Sequence, residues 1–179
     1  MAFFPCVRFE ANIQMYFAGT NANQKKWNDK KKLKYAMNLH DELSYFYKVL
    51  SEMFVLAIDK KFKMVVENPY TSPHYLKLYF PIRPAMIDKD RNKNGDYYRK
   101  PTQYWFVNFK PQTNFLIEPY EITKPMIVNK MRNTNGVDAQ VMRSMINPQY
   151  ARRFIYNNVL TREQVKEIEK NEKHLHNGL

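Results

Sequence analysis

The stretch Lys63-Met64-Val65-Val66-Glu67-Asn68-Pro69 decides the fold. Met64, Val65 and Val66 form an apolar run, two of them β-branched, which predicts a short buried strand. The strand ends in a carboxylate, an amide and a proline. Open α/β sheets bind ligands in the crevice beyond their strand ends, so Glu67 becomes a candidate site residue. Upstream, Ala2-Phe3-Phe4-Pro5-Cys6 has the same shape, an apolar run closing on a proline and the only cysteine in the chain. Two strand ends, one with a thiol and one with a carboxylate, predict a site.

Between these strands lies the clearest helix, residues 31–59. Leu33, Ala36, Met37, His40, Leu43, Phe46, Tyr47, Leu50, Met53, Phe54, Ala57 and Ile58 follow the three-four spacing of one helical face. Asn28 or Asp29 can cap its start. A helix this long between two strands predicts a β-α-β unit with a right-handed crossover and parallel strands. The expected class is therefore α/β: a partial Rossmann-like parallel sheet with one long crossover helix and a helical C-terminal end.

Further along, Ser72-Pro73 predicts the start of a short helix over 74–80, stopped by Pro81 and Pro84. Residues 88–100 are charged and turn-prone and predict a solvated loop. Residues 103–109 alternate, Tyr104 and Phe106 against Trp105, Val107 and Phe109, and predict a strand. Residues 114–118 are expected to pair with it through a Lys110-Pro111-Gln112 turn. Residues 123–141 are irregular and basic. Pro148 opens a helix through Val159, and Thr161-Arg162-Glu163-Gln164 is a capping box for a last, charged helix. The expected division is a domain over 1–160 and a charged helix and tail over 161–179.

Composition bounds the function. At 179 residues, 44% apolar, the chain can bury a core. Its net charge of +12, accompanied by 12 Phe and 13 Tyr, favours a polyanionic partner, DNA or RNA, over a merely solvated basic surface. One cysteine excludes an internal disulfide and a multi-cysteine zinc site. The four glycines form no Gly-x-Gly loop for a phosphate or dinucleotide. No apolar run is long enough for a membrane span, so a cytoplasmic location without membrane contact is expected. His74 follows a helix start and could reach the site, but it reads rather as a surface residue. Asp88, Asp90 and Asp96 with Glu67 could hold Mg2+ in a nuclease, but no metal site is expected, because that acid-bearing loop reads as solvated.

Several motifs carry a resemblance. Phe3-Phe4-Pro5-Cys6 resembles the Pro-Cys motif of DNA cytosine-C5 methyltransferases, and Glu67-Asn68-Pro69 resembles their Glu-Asn-Val motif. The stretch from Asp88 through Asn94-Gly95-Asp96-Tyr97-Tyr98 is similar to phage-borne proteins of this group. So are Lys100-Pro101-Thr102-Gln103-Tyr104-Trp105-Phe106 and Asn147-Pro148-Gln149-Tyr150-Ala151-Arg152-Arg153. The resemblance implies that Cys6 attacks C6 of a flipped-out cytosine and that Glu67 protonates N3, making C5 nucleophilic. The motifs differ in two respects: Pro-Cys is followed by Val, and no glycine-rich loop for S-adenosylmethionine is present. The expectation is a nucleic-acid-binding, methyltransferase-like protein that does not methylate alone, with S-adenosylmethionine relevant only where a partner chain supplies the site. In a phage setting it could serve as an anti-defence inhibitor engaging a nucleoprotein complex. Arg8, Arg99, Lys100, Gln103, Arg152 and Arg153, each beside a motif, are the candidate nucleic-acid contacts.

Overall fold

The Met64–Pro69 segment is a strand (β2) buried along its whole length, at the heart of a four-stranded sheet. The structure, a computed structural model, describes residues 2–3, 8–10, 13–71, 74–116, 120, 124 and 144–176. In chain order, β2 follows β1 (Ala2–Phe3), α1 (Ile13–Phe17) and α2 (Asp29–Lys60). After it come α3 (Tyr75–Tyr79), β3 (Met86–Asp88), a 3-10 turn (Arg91–Asn94), β4 (Thr102–Val107), α4 (Pro148–Asn158) and α5 (Arg162–His176). The chain separates into two units: residues 1–89 with 101–110, and residues 90–100 with 111–179.

In the first unit the sheet order is β1-β2-β4-β3. β1 runs parallel to β2, with α2 between them in the chain, as the β-α-β reading requires. The rest of the sheet is antiparallel: β4 pairs with β2 from Met64↔Val107 to Pro69↔Thr102, and β3 pairs with β4. The protein is α/β in the broad sense, but its sheet is mixed rather than a parallel Rossmann-like one. β4 carries the alternation that reads as a strand. What alternation does not encode is direction, and here the chain returns to β2 by a connection with no long crossover helix.

Side-chain parity follows from the pairing. Met64 and Val66 of β2 and Trp105 and Val107 of β4 share a face and pack with Leu43, Leu50, Phe54 and Ala57 of α2. Asn28 caps α2, its side chain accepting from the Lys31 amide at 2.9 Å, and Lys61 ends the helix in the left-handed region. α2 and β4 are tied again at Asn108. This residue adopts φ +64°, and its Nδ2 donates to the carbonyls of Ala57 (2.7 Å) and Phe62 (2.8 Å). Asn108→Gly is expected to cost about 1 kcal/mol through the lost side-chain bonds. Asn108→Ala is expected to cost about 2 kcal/mol, because a Cβ-bearing residue other than Asn or Asp is strained at positive φ. Urea midpoints of the two variants check this, and equal midpoints would sink the backbone half of the argument.

The second unit is organised around a buried ion pair. Arg91 and Asp96, both about 1% exposed, meet at 2.5 Å between Nη2 and Oδ2. Asp96 Oδ1 accepts from the backbone amides of Tyr97 and Asn147, each at 2.9 Å. The Arg91 guanidinium lies over the Tyr150 ring at 4.7 Å, so the loop is fixed against the start of α4. The charged stretch expected to be a solvated loop thus buries Arg91, Asn92 and Asp96. Its charges neutralise one another, which composition does not reveal.

Residues 110–116 form no strand, contrary to the expected pairing with β4. The amides of Gln112 and Asn114 donate to the carbonyls of Asn158 and Asn157, and Asn114 Nδ2 donates to those of Tyr156 and Leu160. Such bonds, two from backbone amides and two from the Asn114 side chain, satisfy helix-end carbonyls as well as a ladder would. The capping box forms as read: the Thr161 amide donates to Gln164 Oε1 at 2.9 Å, and the Gln164 amide to Thr161 Oγ1 at 3.3 Å. α5 therefore starts where expected, in the same unit as α4. Residues 117–119 and nearly all of 123–141 lie outside the described residues, as does Ser72-Pro73.

Candidate functional site

The site forms where β2 ends, because three sequence features converge there. Register sets Phe3 of β1 beside Glu67 and Tyr104 of β4 on its other side. Asn68 faces Gln103, and Pro69 faces Thr102, so the Glu67-Asn68-Pro69 and Thr102-Gln103 motifs are hydrogen-bonded neighbours. Parity divides them between faces. Asn68 and Gln103 lie on the α2 face; Glu67, Tyr104 and Thr102 lie on the opposite one. Glu67 is 5% exposed, and Asn68, Gln103 and Thr102 are fully buried. Cys6 follows β1 by three positions and lies outside the described residues.

On the α2 face the polar group is larger than the motifs alone indicate. Gln103 Nε2 donates to the Pro69 carbonyl at 2.8 Å and sits 3.5 Å from His74 Nδ1. His74 is 1% exposed, which corrects its reading as a surface residue. It precedes α3, whose first amide, that of Tyr75, donates to the Phe9 carbonyl, and this draws the imidazole inward beside the Phe9 ring. His74 Nε2, Gln103 Oε1 and Thr71 Oγ1 have no hydrogen-bond partner among the described residues. The end of β2 thus carries polar groups able to receive or orient a polar ligand atom.

Burial pushes the His74 imidazole down to about 4, because desolvation disfavours the cation. The unfolded residue titrates near 6.5, so between pH 6.5 and 4 the unfolded chain takes up a proton that the folded chain refuses. This contribution is complete above pH 6.5, falls with acidification, and is lost below pH 4. The loss amounts to roughly 3 kcal/mol at the acid limit. His74→Gln should therefore shrink the difference in urea midpoint between pH 7 and pH 4.5. An unchanged acid sensitivity would mean that the imidazole is protonated inside the fold.

The candidate phosphate contacts divide between the two units. Arg8 is half-buried and ion-paired with Glu42 of α2. Gln103 is wholly internal and reaches no solvent. In the second unit, Arg99 is exposed, with Asp90 at 3.9 Å. Arg152 is exposed on α4, and Lys100 is half-buried. Arg153 stacks its guanidinium on the Tyr120 ring at 3.7 Å. No group of three or more metal-ligating side chains gathers among the described residues, and Asp96 is engaged with Arg91. Among those residues no helix is long and apolar enough to cross a membrane.

The comparisons with known proteins leave the chain to its own geometry: no family model, no curated protein and no solved structure matches it.

Proposed function

We propose that this chain is a nucleic-acid-binding, cytosine-methyltransferase-like protein with its reactive centre at Cys6 and Glu67. One observation supports the reading above others: β1 and β2 are parallel neighbours joined through α2, and Pro5-Cys6 follows the first while Glu67-Asn68-Pro69 closes the second. Parallel strands end on the same side of a sheet, so a thiol that follows the first in the chain and a carboxyl near the end of the second can address one ligand. The charge of +12 suits a nucleic-acid ligand.

The described residues do not fit S-adenosylmethionine. Gly19 follows α1 and Gly95 closes the 3-10 turn, so neither sits in a strand-to-helix loop that could cradle the donor. Methyl transfer therefore forms no part of the proposed chemistry. Half of the methyltransferase cycle needs no donor. The Cys6 thiolate adds to C6 of cytosine as the Glu67 carboxyl gives its proton to N3, and C5 takes a proton from water. Loss of the original C5 proton, return of the N3 proton to Glu67 and expulsion of the thiolate restore the base. The net result is exchange of the C5 hydrogen with solvent.

The test pairs two measurements on the whole chain: salt-dependent binding of DNA and RNA oligonucleotides, and release of tritium from C5-tritiated cytosine into water. Binding that weakens steeply with salt is expected, and tritium release that is lost in Cys6→Ser and in Glu67→Gln would identify Cys6 and Glu67 as working groups. No retention at about 0.1 M salt would overturn the reading, since phosphate contacts dominate such binding there. A second reading, one chain of a two-chain methyltransferase, is favoured by the terminal place of β1 in the sheet order of the described residues. An outer edge of that kind accepts a further strand.

A further inference from the structure

We propose that the N-terminal end of α2, with the turn before it, is the surface that grips the nucleic-acid phosphate backbone. This rests on the nucleic-acid reading above and gives it a location that none of the motif-flanking cations occupies. Lys25, Lys26, Lys30, Lys31, Lys32 and Lys34 fall within ten residues, and Asp29 is the only acid between Glu10 and Asp41. Five of the six are exposed and Lys32 is half-buried. None is ion-paired among the described residues, whereas Arg8 is held by Glu42 and Arg153 by the Tyr120 ring.

The cluster is built on fixed backbone. Gln24, 1% exposed, anchors the turn by donating from Nε2 to the Tyr16 carbonyl at 3.1 Å. The Lys25 amide donates to the Asn21 carbonyl at 3.1 Å, and Asn28 caps the helix. The Lys32 stem packs against Gly19, its Cδ 3.3 Å from where a Cβ would stand; Gly19 has φ +67°. Trp27 meets the Tyr35 ring edge-on at 5.3 Å, with the Lys31 ammonium over its face at 4.4 Å.

This arrangement works against the folded chain by itself. A helix N-terminus already carries partial positive charge, and cations there add to it. Lys30 and Lys34 are also like charges at i,i+4. A sequence selected for helix stability alone would place acids at these positions. A row of phosphates would turn the repulsion into attraction and release the counterions held along the polyanion.

Two variants of equal charge test location against net charge. One carries Lys25, Lys26, Lys30 and Lys34→Gln, which spares the packed Lys31 and Lys32. The other carries Lys48, Lys60, Lys61 and Lys89→Gln. Binding of a labelled 20-nucleotide strand and a 20-base-pair duplex is followed against salt. The first variant is expected to flatten the log–log salt slope by about 3 and to weaken binding on the order of 100-fold at low salt. It should melt no lower than the wild type. The second should do far less. Equal losses in the two variants would overturn the location while the nucleic-acid reading stands. No salt-dependent binding by the wild type would remove both. Retention on phosphatidylserine vesicles without oligonucleotide binding would assign the patch to a membrane surface and overturn the proposal.

Discussion

Asp96→Ala is expected to destabilise the second unit by about 3–5 kcal/mol, the usual cost of stripping one partner from a buried ion pair. Three interactions fail together. The Arg91 guanidinium loses the carboxylate at 2.5 Å, and the amides of Tyr97 and Asn147 lose their common acceptor. At this chain length the loss corresponds to a fall in melting temperature of roughly 10 °C. Both tryptophans, Trp27 and Trp105, lie in the first unit, so fluorescence would report on the wrong half. Hydrogen exchange of the α4 amides, residues 149–158, is the suitable measurement and should accelerate. The double variant Arg91→Met with Asp96→Leu should recover part of the loss, because it leaves no lone buried charge. If Asp96→Ala melted within a degree of the wild type, the ion pair would be incidental to the fold.

Trp105→Ala should cost about 3–5 kcal/mol in the first unit, through lost burial and an incompletely collapsed cavity. The indole, 2% exposed, stands perpendicular to Phe80 at 6.0 Å, and Phe80 meets Phe54 at 5.1 Å. Its Nε1 also donates to the Ile82 carbonyl at 2.8 Å, holding the segment before β3. Trp105→Phe separates the two contributions. It keeps most of the apolar volume and gives up the hydrogen bond, for about 1 kcal/mol beyond the lost ring area. Denaturant midpoints of the two variants should therefore lie far apart. If Phe were as harmful as Ala, the indole N–H rather than its bulk would carry the stability.

How much of this was legible differs by element. α2, β2, β4, α4 and the Thr161 box were readable because each rests on local information: three-four spacing, alternation, or a cap at a fixed offset. The antiparallel return of β4 was not, since pairing direction belongs to the tertiary connection. The burial of Arg91 and Asp96 was hidden for a related reason: residues five apart neutralise each other only once a 3-10 turn brings them together. Glu67 could be picked out by its place at a strand end. His74 could be placed near the site by its position at a helix start, but its burial could not be read, because that depends on a hydrogen bond from Tyr75 to Phe9, 66 positions away in the chain. The lysines near α2 were visible as composition, but their stiff mounting on Gln24 and Asn28 was not.

The sheet order has a consequence for biosynthesis. β4 lies between β2 and β3, yet it is made after both. At a synthesis rate of about 5–20 residues per second, a nascent chain waits roughly 2–8 s between completing β2 and completing β4. Through that interval β2 lacks its antiparallel neighbour, and its apolar Met64-Val65-Val66 run has an open hydrogen-bonding edge. The interval is when ribosome-associated chaperones matter most to this chain, and slow codons between residues 70 and 101 would lengthen it.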